Sequence, residues 1–496
     1  MSQYNIIAQN TENTVVSEYT PLPKRAEAYQ SEAQLEKEFI RLLCEVGYTY
    51  LPIHTEADLV ANLRKQLEKL NNYQFTDGEW ERFFQQNIAN ANEGIKEKTR
   101  RIQDGDTAQA FKRDTGESKN IRLLDKKCIH NNTLQVINQY TISQAEGAAH
   151  DNRYDVTILV NGLPLVHVEL KRRGVAIREA FNQINRYKRD SFWAGSGLFD
   201  YVQIFVISNG TNTKYYSNTT RLGHIKDFNS SAARKRGKTS NSFEFTSFWA
   251  DAKNRIIPDL MDFTKTFFAK ATILNILTKY CVFTSEELLL VMRPYQIVAT
   301  ERILNRIEIA TNYKRYGTVQ GGGYIFHTTG SGKTLTSFKT AQLVADFPYI
   351  NKVLFVVDRK DLDYQAMKEY DRFEKGAANG NTSTAILTQQ LSDPNAKIII
   401  TTIQKLAIFI KKNANHPLAD KQVVIIFDES HRSQFGDMHK AIVHNFKKYH
   451  LFGFTGTPIF AVNAGSSTDP RYFTTAQTFG DQLHTYTIVD AINDHN

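Results

Sequence analysis

Asp155 in the segment RYDVTIL, and Glu169 with Lys171 in VHVELK, are residue types that can cleave a phosphodiester. Two carboxylates can hold Mg²⁺, which lowers the pKa of a bound water and neutralises charge on the scissile phosphate. A lysine beside them can orient or activate the nucleophile, or stabilise the pentavalent transition state. Glu169 and Lys171 are two apart, so in a strand they share a face. A second group lies in HTTGSGKT, where Thr328, Thr329, Gly330, Ser331, Gly332, Lys333 and Thr334 follow the apolar run YIFH and open a helical stretch. Glycines there let backbone N–H groups close around the β- and γ-phosphates of a nucleotide, and the helix N-terminus adds partial positive charge. Lys333 can reach the β/γ oxygens, and the Thr334 hydroxyl can ligate magnesium. A third group ends the apolar run QVVIIFDESH: Asp428 can hold magnesium through water and Glu429 can polarise an attacking water.

Each group needs elements to hold it. Residues 1–30 read as an irregular lead-in, and SEAQLEKEFIRLLCEVGY after it is helical, with Ser31 available as a cap. RYDVTILVNGLPLVHVELKRRG reads as two strands joined at Asn161-Gly162, a pair suited to the positive-φ positions of a hairpin. A helix is expected from about Arg178 to Tyr187, then a buried strand in YVQIFVISNG. Residues 229–242 are small, polar and basic; they read as a solvated insertion, with phosphate contact the second reading. The second half alternates strand and helix: GYIFHTT, KVLFVVD, KIIITT, QVVIIFDE and LFGFTGT are almost continuously apolar. That texture belongs to a parallel sheet covered on both faces. The domains expected are 31–260 and 261–465, with 466–496 beginning a connection.

The 496 residues are 41% apolar and 23% charged, and hold no uncharged apolar run of the about 18 residues that a membrane span needs. No basic segment followed by an apolar stretch opens the chain, so a cytoplasmic location with no membrane contact is expected. Cys44, Cys128 and Cys281 stand in no metal-ligand or disulfide spacing and read as reduced core residues. The net charge of +9 suits a polyanionic partner, without deciding for one.

RPYQ (293–296), TGSGKT (329–334), VVDRKDLDYQ (356–365), TTIQKL (401–406), DESH (428–431) and FTGTP (454–458), in that order, resemble the first RecA-like lobe of a superfamily 2 helicase. A strict phosphate-loop pattern has Gly where this chain has His327, a position that varies in that superfamily. The resemblance implies that Gln296 reads the adenine edge of ATP. It also implies that Asp358, Arg359, Thr401 and Thr402 belong to segments gripping the DNA backbone, and that Thr455 and Thr457 couple hydrolysis to lobe movement. The first half resembles the PD-(D/E)xK nucleases that carry a QxxxY element, here Gln183 and Tyr187, which in those proteins contact DNA or support the site. A helix-borne acid upstream is also usual there, and Glu36 is the candidate, with Glu32 second.

Together, with VISNGT (206–211), these features resemble the restriction (R, HsdR-type) subunit of type I restriction–modification enzymes. The implied fold class is α/β: a PD-(D/E)xK domain with a mixed sheet flanked by helices, then a RecA-like parallel-sheet domain. The resemblance implies ATP and Mg²⁺ as cofactors, duplex DNA as substrate, and specificity and modification (methyltransferase) subunits as partners. FTGTP lies close to Asn496, so the sequence reads as an N-terminal fragment without a second RecA-like lobe, binding ATP weakly and hydrolysing it poorly. A DNA-end-processing repair helicase–nuclease is the rival, and a DNA-binding scaffold with decayed sites the more distant one.

Overall fold

A computed structural model describes residues 13–21, 30–220, 242–357, 360–373, 376, 378–413, 416–428, 441, 444–460 and 474–494. The chain divides into two units, Met1–Arg293 and Pro294–Asn496. The helix α1 (Glu32–Glu45) starts on a capping box: the Ser31 hydroxyl accepts from the Gln34 N–H at 3.2 Å while the Gln34 side chain accepts from the Ser31 N–H at 3.0 Å. β1 (Thr49–Tyr50), α2 (Glu56–Asn71), α3 (Asp77–Phe83) and α4 (Ile95–Gln103) follow, then an antiparallel ribbon of β2 (Ala108–Lys112) and β3 (Ser118–Arg122).

The main sheet of the first unit is β4 (Leu134–Ile142), β5 (Asn152–Val160), β6 (Leu163–Leu170), β7 (Ile204–Ser208) and β8 (Thr213–Ser217), with β1 on its edge. It is mixed: β1 runs parallel to β4, β6 parallel to β7, and the other neighbours are antiparallel. The β5–β6 turn is the expected one, with Asn161 at φ 50° and Gly162 at φ 84°. A Cβ on Gly162 would sit 2.6 Å from Leu63 Cα, so α2 packs onto the turn as closely as a missing side chain permits. α5 (Ile177–Asp190) contacts β6 and β7.

The segment 13–21, expected to be loose, is packed: Val15, Val16 and Tyr19 are buried, and the Tyr19 hydroxyl donates to Asp262 at 2.6 Å. Asp262 sits in α6 (Leu260–Thr266), which packs on α1, and α7 (Lys270–Thr278), β9 (Cys281–Phe283) and β10 (Leu289–Val291) complete the unit. Residues 261–293 therefore lie with the first unit, because α6 and α7 bury near-continuous apolar faces there. Of the three cysteines only Cys281 is buried; Cys44 and Cys128 are exposed, Cys44 on the outer face of α1 and Cys128 in a loop. Among the described residues no helix is long and apolar enough to cross a membrane.

In the second unit, α8 (Pro294–Asn312), β11 (Gly323–His327), α9 (Lys333–Ala345), β12 (Lys352–Val357), α10 (Lys360–Phe373), α11 (Thr384–Ser392), β13 (Ile398–Thr402), α12 (Ile403–Lys412), β14 (Gln422–Asp428), β15 (Lys448–Thr455), α13 (Thr475–Phe479), β16 (Gln482–Tyr486) and α14 (Ile488–Asn493) alternate. All six strands are parallel, in the order β13-β12-β14-β15-β11-β16. Leu354, Ile399, Ile425 and Phe427 pack with Leu406 and Phe409 of α12; burying each such side chain contributes about 1.5–3 kcal/mol. β16 is a full strand of this sheet, hydrogen-bonded along β11, rather than part of a connecting segment.

Candidate functional site

In the first unit the ladder pairs Val156 with Val168 and Thr157 with His167. Continuing that register by two residues sets Asp155 opposite Glu169, and the period of two puts Asp155, Thr157, His167 and Glu169 on one face. Asp155 is 8% exposed and Glu169 fully buried. The Leu170 N–H donates to Asp155 Oδ2 at 2.9 Å, fixing that carboxylate. Lys171 Nζ donates to Glu169 Oε1 at 3.0 Å and to the Leu170 carbonyl at 2.9 Å, and stands 3.8 Å from Glu32 Oε1.

Burial, and then the neighbouring Glu169, push the Asp155 carboxyl well above the usual range. Burial also raises Glu169, with the Lys171 ammonium pulling the other way. Lys171 itself stays firmly cationic, because its carboxylate neighbours outweigh its own burial. Glu169 Oε2 is buried without a hydrogen-bond partner. Two neighbouring carboxylates, both disfavoured as anions by burial, suit a divalent cation held by oxygen ligands. Among the described residues no three His, Cys, Asp or Glu side chains form a ready metal cluster.

The QxxxY pair supports this face from α5. Tyr187, 1% exposed, donates its hydroxyl to the Arg153 carbonyl at 2.8 Å, two residues before Asp155, and accepts from Gln183 Nε2. Both residues thus brace the β5 backbone. The helix-borne acid beside Lys171 is Glu32, not Glu36. Glu36 is buried one turn further on, where Asn138 Nδ2 and Gln139 Nε2 donate to it at 2.6 and 2.5 Å. Sequence reasoning also missed Gln139. It stands between the pairs Asn138–Val156 and Tyr140–Tyr154, across from Asp155, with φ at +51°. A left-handed glutamine costs about 1–2 kcal/mol, and Glu36 anchors its side chain in that conformation. His167 was missed too; period two along VHVELK is the signal that could have found it.

In the second unit, parallel strands deliver their C-terminal ends to one edge of the sheet, where α/β proteins bind ligands. The turn after β11 is open: Gly330 and Gly332 have φ of 85° and 76°, and a Cβ on Gly330 would meet nothing within 4 Å. Gly332 caps α9, so Lys333 and Thr334 begin that helix and its unpaired N–H groups face the turn. The Ser331 carbonyl accepts from the Tyr295 hydroxyl at 2.8 Å and from Gln296 Nε2 at 3.0 Å, so Tyr295 and Gln296 lock the turn from α8. The Thr328 N–H donates to the Tyr486 carbonyl at 2.9 Å. Lys333 Nζ lies 3.4 Å from the His327 carbonyl.

Gly456 packs directly against this turn: a Cβ there would be 3.3 Å from Thr329 Oγ1 and 3.5 Å from Lys333 Nζ. Asp428 ends β14, in register with Phe454, one strand from the turn. Thr455 is buried and its hydroxyl accepts from the Thr457 N–H at 3.0 Å. Thr401 and Thr402 are fully buried, the first donating to Asn381 at 3.0 Å and the second capping α12, so their hydroxyls face inward. Glu429, Asp358, Arg359 and the 229–241 stretch lie outside the described residues. The turn and helix N-terminus fit a nucleotide's phosphates, with Thr334 in the first turn of α9 and Asp428 at the end of β14.

Residues 29–224 match the family described as "Type I restriction enzyme R protein N terminus", and residues 295–496 match "SWI2/SNF2 ATPase". The chain is 50% identical over 303 residues to the EcoprrI type I restriction enzyme endonuclease subunit of Escherichia coli, covering 61% of this chain and 90% of that one. It is 40% identical over 476 residues to the SsaAORF53P type I restriction enzyme endonuclease subunit of Staphylococcus saprophyticus, covering 94% of this chain and 46% of the relative. A third relative, from Mycoplasma pneumoniae, is the C-terminal part of the putative type I restriction enzyme MpnIIP endonuclease; it is 46% identical over 200 residues, 39% of this chain and 97% of the relative. The chain spans about half the length of the staphylococcal relatives it matches.

Proposed function

Because the chain belongs to the family of type I restriction enzyme endonuclease subunits, we propose that it serves as the nuclease and first motor lobe of an ATP-dependent DNA translocase and endonuclease. Its substrate is duplex DNA, unmethylated and foreign, pumped with ATP and cut away from the recognition site. Its partners are specificity and modification (methyltransferase) subunits, in the cytoplasm. One observation carries the reading. A two-carboxylate-plus-lysine face in one unit and an open phosphate turn at the C-terminal edge of a parallel sheet in the other belong to a single chain.

In the nuclease site Asp155 and Glu169 hold Mg²⁺, and Lys171 orients the nucleophile or meets the charge that builds on the phosphate. When bound, the cation supplies a water of lowered pKa and neutralises the scissile phosphate. The Leu170 N–H keeps Asp155 aimed, and Tyr187 with Gln183 holds the strand that carries it. In the motor site Thr328, Thr329, Gly330, Ser331 and Gly332 wrap the phosphates of ATP. Lys333 meets their β/γ oxygens, Thr334 and Asp428 hold magnesium, Gln296 reads adenine, and Glu429 aims the attacking water.

The test is cleavage of an unmethylated circular plasmid by the assembled enzyme with Mg²⁺, with and without ATP. Linear product only with ATP is expected. Cutting without ATP, or only from a free end, would favour the end-processing alternative. Cutting unchanged in Asp155→Ala would remove the nuclease assignment, and ATP turnover unchanged in Lys333→Ala the motor assignment.

A further inference from the structure

His167 is absent from the D…ExK arrangement, yet it lies on the same strand face, two residues before Glu169. Its side chain is completely buried and its ring is wedged among Tyr154, Tyr187, Phe192 and Phe205, at centroid distances of 5.7–6.4 Å. Thr157 Oγ1, its cross-strand neighbour, meets Nδ1 at 3.1 Å. Nε2 has no hydrogen-bond partner and points toward Glu169 Oε2, 3.5 Å away, itself buried and partnerless. Two orphaned polar atoms at the far edge of hydrogen-bonding distance face each other inside an aromatic cage. Were Nε2 a lone pair, it would confront a carboxylate oxygen across a low-dielectric gap, an unfavourable pairing. The tautomer with hydrogen on Nε2, in which the Thr157 hydroxyl donates to Nδ1, makes the pairing attractive.

We propose that His167 is a positioning residue of the nuclease site, whose Nε2–H holds Glu169 Oε2 so that Oε1 is presented to the cation on the Leu170–Lys171 side. The proposal rests on the nuclease reading of Asp155 and Glu169. Oε1 lies with Lys171 Nζ and the Leu170 carbonyl, and Oε2 lies inward with the imidazole, so one carboxylate is gripped at both ends. Partners that orient a metal-binding carboxylate typically change metal affinity about 10–100-fold when removed.

The experiment is calorimetric titration of the nucleotide-free 496-residue protein with Mn²⁺, the heat belonging to this site being what Asp155→Ala removes. Binding unchanged in Asp155→Ala would overturn the nuclease reading itself rather than the role of His167. With that reading intact, His167→Leu is expected to weaken Mn²⁺ binding at least about tenfold, and His167→Gln, which keeps a donor, to restore it to within about threefold. His167→Leu binding like wild type, or His167→Gln as weak as His167→Leu, overturns the proposal. Should His167→Leu not fold, Thr157→Val carries the test, since loss of the hydroxyl frees the imidazole and lowers affinity; wild-type affinity there overturns it. A ¹⁵N-histidine spectrum is expected to show the Nε2–H tautomer, and an Nδ1–H signature would overturn the proposal.

Discussion

Replacing Lys171 by methionine keeps most of its volume and removes the ammonium that sits against Glu169 Oε1 at 3.0 Å. The Glu169 side chain has no solvent exposure and its other oxygen faces His167 Nε2 at 3.5 Å, so the carboxylate is left buried without a countercharge. Breaking a buried pair by deleting one partner costs about 3–5 kcal/mol when the charge left behind stays ionised, and Glu169 escapes part of that cost by taking up a proton. The cost has a pH signature. Burial holds the Glu169 carboxyl above its usual range, and Lys171 is the leading group pulling it down; without the ammonium it rises further. A carboxyl whose folded pKa is raised contributes stability that is fully present below the unfolded value, about 4.3, and lost as pH rises through the folded value. The deficit of Lys171→Met is therefore small near pH 4.5 and, with the wild-type carboxyl already held at about 7, grows to about 1.4 kcal/mol by pH 8, one further unit of pKa, in the absence of divalent cation. Urea unfolding followed by tryptophan fluorescence measures it, because Trp80, Trp193 and Trp249 all lie in the first unit. Adding Glu169→Gln should recover most of the loss at pH 8. A Lys171→Met protein as stable as wild type at pH 8, or a double variant no better than the single one, would show that Lys171 does not neutralise a buried Glu169 carboxylate.

Four further outcomes are expected. Gly332→Ala forces an L side chain to φ 76° and sets a Cβ 2.6 Å from Gln296 Nε2, so Gln296 must give up its hold on the turn or the turn must move. ATP affinity, read with a fluorescent analogue, should fall at least about tenfold, the strain alone being about 1–2 kcal/mol. Tyr187→Phe removes the donor to the Arg153 carbonyl and should cost about 1 kcal/mol in urea unfolding, with a loss of plasmid cleavage that exceeds it. Glu36→Ala, which strands Asn138 and Gln139, should destabilise the first unit by about 1–3 kcal/mol, whereas Glu32→Ala should leave its stability within about 0.5 kcal/mol and alter cleavage instead. Raising Mn²⁺ should stabilise the wild-type first unit more at pH 8 than at pH 5, since the cation competes with protons that Asp155 and Glu169 hold unusually strongly.

Much of this was legible in residue order because the signals were local. The Asn161-Gly162 turn needs two left-handed residues, and alternation beyond it sets Glu169 and Lys171 on a common face. Continuous apolar strands bounding TGSGKT and DESH are what a sheet covered on both sides requires. What was hidden depends on docking. Glu32 and Glu36 are one turn apart on the same face of α1, and only the angle at which that helix meets the sheet decides that Lys171 meets the first and Gln139 the second. His167 looks like any residue of an apolar strand until Thr157 and Glu169 flank it. β16, beginning with the polar Gln482, carries too short a pattern to announce a strand and is fixed by its register along β11.

The stacking of Tyr486 on Tyr295, with rings 3.6 Å apart and 15° from parallel, makes the last strand a mechanical lever. Tyr486 holds the phosphate turn through its carbonyl on Thr328, and Tyr295 holds it through its hydroxyl on Ser331. Any load that displaces β16 thus reaches both ends of the turn at once. Such coupling is reciprocal: whatever tightens the turn holds the strand, and whatever displaces the strand loosens the turn.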